Sequence, residues 1–122
     1  MERTYRMCER WSDMNLFDWF GKGLTVRRQS LWLYRRGMKH VKQERHAEAI
    51  KDYTEVIELP RVPADIRAMA YYNRALVHSA VSDESAAVAD LQKVLKLAGA
   101  TEQVLTEARR RLFRITKPSS KS

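Results

Sequence analysis

Cysteine occurs once, at Cys8, so the chain holds no internal disulfide framework. A single thiol fits a reducing compartment. Glycine and proline are scarce, with four and three copies, and no Gly/Ser linker or low-complexity run divides the chain. At 122 residues it reads as one small domain. No apolar run approaches the roughly 18 residues of a membrane span. Arg3, Arg6 and Arg10 imitate the basic start of a secretory leader, but Asp13 and Asp18 interrupt the apolar stretch that should follow. The expected location is therefore the cytoplasm. There is no glycine-rich phosphate loop and no nucleophile elbow. His40, His46, His78 and Cys8 form no set with metal-ligand spacing. Arg6 and Arg10 flank Cys8 and would lower its pKa, yet nothing else marks it as a nucleophile. The expectation is a protein that is not an enzyme and uses no metal and no cofactor.

What the chain has instead is a duplicated segment. Residues 30–61 and 68–99 superimpose when one is slid along the other by a constant number of positions. Tyr34 falls on Tyr72, Arg36 on Arg74, His40 on His78, Ala49 on Ala87, Asp52 on Asp90, Val56 on Val94 and Leu59 on Leu97. Gly37/Ala75, Ile50/Val88 and Ile57/Leu95 keep their character. A period of this size means stacked supersecondary units. Ala49, Ile50, Tyr53, Val56 and Ile57 recur at spacings of three and four, as do Ala87, Val88, Leu91, Val94 and Leu95, so these stretches are helices rather than strands. Pro60 and Pro63 separate the units, and Pro63 suits the first turn of the helix that follows. Ser82 is a candidate N-cap and Gly99 a candidate stop.

The pattern LYRRG…AEAIKDYTEVIELP, repeated as YYNRA…AAVADLQKVLKL, resembles the tetratricopeptide repeat. Tyr34, Gly37, Ala49, Tyr53, Val56 and Pro60 carry the resemblance in the first copy, and Tyr72, Ala75, Ala87, Leu91 and Val94 in the second. It implies an all-α fold of helix–turn–helix repeats in a short right-handed superhelix. Residues 30–63 are then the first repeat and 64–101 the second, with 64–67 adding about one turn to its first helix. Two repeats leave open ends, since roughly three are needed to bury a continuous core. Thr101 as N-cap and the arc Val104, Leu105, Ala108, Leu112 and Ile115 predict a capping helix over 102–116. Residues 117–122 form a polar, frayed tail. Residues 1–29 form an aromatic-rich N-terminal segment, with a helix over about 4–20 that carries Met7, Trp11 and Met14 on one face and a turn near Gly21 and Gly23. The expected total is six helices.

The resemblance implies a concave groove lined by the first helix of each unit: Leu31, Tyr34, Arg35, Met38 and Lys42, then Met69, Tyr72, Asn73, Leu76 and Ser79. In the family's pattern His40 and His78 face the interior of each helix pair. Some family members clamp a peptide carboxylate with asparagines and lysines. Asn73 matches one clamp position, but Tyr34, Met38, Gln103 and Glu107 stand at the others, so the clamp is absent. The implied partner is a protein or peptide, which Arg35, Lys39 and Lys42 would favour with acidic flanks. Net charge is +8. Arg28, Arg35, Lys39 and Lys42 share a narrow helical arc, and Arg109, Arg110 and Arg111 crowd the last helix. This basic patch keeps a second reading open, a nucleic-acid-associated adaptor. A third is a homo-oligomeric scaffold, or a chain whose own residues 11–20 fill the groove until a partner displaces them.

Overall fold

The computed structural model describes residues 19–117, with side chains from Thr25 onward. Five helices follow one another: α1 (Trp19–Lys42), α2 (His46–Glu58), α3 (Ala64–Ala80), α4 (Glu84–Lys96) and α5 (Glu102–Thr116). No strand occurs among the described residues. Each helix packs on the next, and α3 also touches both α1 and α5. The odd-numbered helices form one layer and α2 and α4 the other, which is the arrangement of stacked helix pairs. The expected N-terminal helix lies, up to residue 18, outside the described residues, as does the tail beyond Lys117. The turn expected near Gly21 and Gly23 is not there. α1 runs through both glycines, because a glycine costs a helix interior only about 1 kcal/mol and extending an existing helix is far easier than nucleating one. The inserted residues 64–67 do lengthen the first helix of the second unit: α3 starts at Ala64, directly after Pro63 at the N-cap.

The two helix pairs turn in the same way. Glu44 and Ser82 hold repeat-equivalent left-handed conformations, with φ of 59° and 64°. The next amide in each, Arg45 and Asp83, donates to the carbonyl of His40 and His78, both at 2.8 Å. Ser82 is therefore not the N-cap predicted for α4. It makes the turn, and Asp83 caps, its side chain accepting from the Ala86 amide. Thr101 caps α5 as expected, accepting from Val104. Gly99, at φ 95°, lies in the loop beyond the end of α4 at Lys96.

Inside each pair, the crossing is set by one small residue and one large one. In the first unit the backbone of Gly37 lies against the buried ring of Tyr53, so close that a Cβ there would come within 2.7 Å of Cε1. The second unit places Ala75 and Leu91 at the same two positions, and both are fully buried. A branched aliphatic in place of the ring leaves room for a methyl group. Leu33, Tyr34, Ala49, Tyr53, Val56, Ile66, Ala70 and Val77 form one core across α1, α2 and α3. Ala75, Ala87, Leu91, Val94 and Ala108 form the second, which Val104, Leu105, Leu112 and Ile115 cover from α5. The apolar arc read from the last helix is thus the surface that closes the stack.

A polar network repeats as well. Arg36 donates to both carboxylate oxygens of Asp52, at 2.9 and 2.7 Å, and the Nε2 of His40 lies 3.5 Å from the same group. In the second unit Arg74 donates to Asp90 at 2.8 and 2.7 Å, with His78 Nε2 3.8 Å away. Both carboxylates are buried, so each needs its charged partner. The two histidines face the interior of their helix pairs, as the repeat pattern implied. Arg74 does something more: its Nη1 donates to Thr54 on α2 at 2.9 Å and so ties the second unit to the first.

Candidate functional site

Where α1 and α3 lie side by side, their C-terminal halves and α2 enclose a mostly apolar pocket of about 220 Å³. Met38, Val41 and Lys42 form one wall, Asn73, Leu76, Val77 and Ala80 the other, and His46 and Tyr53 of α2 the floor. For comparison, an engineered apolar cavity of about 150 Å³ takes up benzene, so a bulky apolar side chain fits. Three polar groups stand at this surface. Lys42 is exposed. The Nδ1 of His46 is buried and has no hydrogen-bond partner among the described residues. Asn73 is fixed: its Nδ2 donates to the Tyr34 hydroxyl at 2.7 Å and to the Met69 carbonyl at 2.9 Å. The Asn73 side chain is thus held in position at the wall of the pocket.

Of the residues predicted for a groove, Met38, Lys42, Asn73 and Leu76 come together here. Tyr34 is buried behind them and orients Asn73. Leu31 and Met69 pack on the first core, and Tyr72 on the second. Arg35 is exposed, and Ser79 is half-buried. Val41, His46, Tyr53, Val77 and Ala80 are pocket residues that the sequence did not single out. Ala80 was legible in principle, because it is the repeat equivalent of Lys42. His46 and Tyr53 were not, because the family pattern assigns the groove to first helices only.

Burial pushes the phenols of Tyr34 and Tyr53 above the ordinary tyrosine range. The Asn73 hydrogen bond partly offsets this for Tyr34, while Tyr34 and Asp52 add to it for Tyr53. Both rings fold in the neutral form. Their contribution to stability is present below the unfolded tyrosine pKa of about 10 and is lost as pH rises toward the higher folded values. The urea midpoint is expected to fall as pH is raised above about 10, and to fall less steeply in Tyr53→Phe. Equal slopes in the two proteins would exclude Tyr53 as the titrating group.

The predicted basic residues do not form one patch. Arg28, Arg35, Lys39 and Lys42 are exposed on α1. Arg109 and Arg110 are exposed and Arg111 half-buried on α5, on the far side of α3, and Arg110 pairs with Glu107 at 3.2 Å. No group of His, Cys, Asp and Glu among the described residues could hold a metal ion. No helix among them is long and apolar enough to cross a membrane.

Comparison of the chain with curated proteins and with solved structures finds no match. A protein-family model does match it twice, over residues 33–62 and 68–101; the first span takes in the C-terminal part of α1 and all of α2, the second all of α3 but its first turn and all of α4. Repeats of this kind generally mediate protein–protein interaction and are generally non-catalytic. With two such matches over more than half of its length, the chain belongs to the tetratricopeptide repeat family.

Proposed function

We propose that this chain is a non-catalytic interaction module that receives a peptide or helix of a partner protein between α1 and α3. The observation that carries the reading is the apolar pocket between the two units. A bulky apolar side chain of the partner enters it between Met38 and Leu76, and the Asn73 amide stands ready at its wall. Methionine and leucine give large contact area with adaptable packing, and a desolvated central pocket is where binding energy concentrates. Lys42 at the pocket favours an acidic residue next to the anchor.

Selection of peptides on the immobilised protein tests this. The enriched peptides are expected to share a bulky apolar residue with acidic neighbours. Leu76→Arg, which fills the pocket, is expected to weaken them at least about tenfold, equivalent to about 1.4 kcal/mol, while the helical circular dichroism is unchanged. Peptides that bind wild type and Leu76→Arg equally would exclude the pocket as the site.

A further inference from the structure

The two repeats differ most on one face of their first helices. In α3 that face carries Ile66, Ala70 and Val77, all buried in the core shared with Tyr53 and Val56 of α2. The repeat equivalents in α1 are Arg28, Trp32 and Lys39, all exposed, with Trp32 58% accessible. No described element covers them. Spacings of four, three and four place Arg28, Trp32, Arg35 and Lys39 on one helix face.

A terminal repeat needs a polar outer face to stay soluble, but this face is more specialised than that. α1 contains Lys22, Arg27, Arg28, Arg35, Arg36, Lys39 and Lys42 and no Asp or Glu. Of the lysines and arginines of α1 with described side chains, only Arg36 forms an ion pair among the described residues. That pair orders the surface: Asp52 holds the guanidinium by two hydrogen bonds, and the guanidinium sits 4.5 Å from the centre of the Trp32 ring. The tryptophan is thus held in place while still exposed, a combination typical of binding hot spots. On one flank α2 carries Glu48, Glu55 and Glu58 against a single lysine, Lys51, while its Asp52 is buried and paired with Arg36. The positive strip is bounded by acidic residues on that flank.

We propose that the outward face of α1, along Arg28, Trp32, Arg35 and Lys39, is a second docking surface, which takes an acidic amphipathic segment of a partner protein. Charge complementarity selects acidic residues over basic ones. Trp32 supplies an apolar anchor, and the acidic helix α2 alongside limits the partner to the width of a single peptide rather than a nucleic-acid duplex. This surface lies beside the groove and does not depend on the groove being occupied.

The test uses the full chain and a fluorescein-labelled peptide of about 14 residues, or four helical turns, with glutamate on one face and leucine on the other, followed by fluorescence anisotropy. Wild type is expected to bind it and to ignore the same peptide with lysine in place of glutamate. Arg28→Glu/Lys39→Glu and Trp32→Ala are each expected to weaken binding at least about tenfold, with circular dichroism unchanged because all three side chains are exposed. Because such a peptide also suits the groove, the α1 substitutions are made in the Leu76→Arg background, where the groove is filled and binding through α1 is expected to persist. Loss in Leu76→Arg itself would overturn the proposal and assign the peptide to the groove. Failure of the wild type to bind, or tighter competition by a single-stranded RNA of the same length, would overturn it as well.

Discussion

Asp90→Ala is expected to cost the fold about 3 kcal/mol. The carboxylate is buried and receives two hydrogen bonds from the Arg74 guanidinium. Removing one partner of a buried pair leaves the other charge desolvated and unpaired, at about 3–5 kcal/mol in full burial. The Arg74 side chain keeps 18% of its accessibility, which places the loss toward the lower end. The damage also spreads, since the same guanidinium reaches Thr54 across the boundary between units. Asp52→Ala, its repeat equivalent, is expected to cost less, about 1 kcal/mol. Arg36 is 39% accessible, water screens the charge left behind, and no cross-unit bond is lost among the described residues. Urea denaturation of the two variants measures the difference. If Asp52→Ala proves as damaging as Asp90→Ala, exposure of the arginine does not set the scale. Domains are stable by only about 5–15 kcal/mol, so the larger loss would leave a two-repeat stack close to its threshold.

Gly37→Ala is the second large effect. Alanine normally improves a helix by about 1 kcal/mol over glycine. Here its methyl group would lie 2.7–3.1 Å from three atoms of the buried Tyr53 ring, which would have to shift toward the pocket whose floor it forms. Overpacking of this kind costs about 1–3 kcal/mol, which outweighs the helix gain and leaves a net loss of up to about 2 kcal/mol. In a Tyr53→Leu background the same substitution is expected to be neutral or stabilising, because the second unit already pairs Ala75 with Leu91. A double-mutant cycle by thermal denaturation reads the coupling directly. An equal cost in both backgrounds would show that the ring is not what excludes the methyl group.

These two predictions also show how differently the elements could be read. The alignment set Arg36 on Arg74, Asp52 on Asp90 and His40 on His78 without revealing that each trio is one network, since the members stand on different helices of a pair. The Ser82 prediction failed because its left-handed turn geometry leaves capping to Asp83. The glycine turn failed because local propensity is weak against continuation of a helix. The pocket was half legible. Met38, Lys42, Asn73 and Leu76 followed from the repeat, whereas Tyr53 and His46 came from the second layer, which a pattern confined to first helices does not reach.

By itself the sequence determined the period, the all-α class, the small residues at the helix crossings and the capping arc of the last helix. Each of these is written in spacings along one helix or in the match of two copies. Only the tertiary structure decided which face of each helix meets a neighbour. Stacking buries Ile66, Ala70 and Val77 against the preceding unit, while their equivalents Arg28, Trp32 and Lys39 meet no described element. Burial depends on what lies across the interface, and one helix does not contain that information. The same cause makes the basic residues of α1 and α5, alike in composition, two separate surfaces.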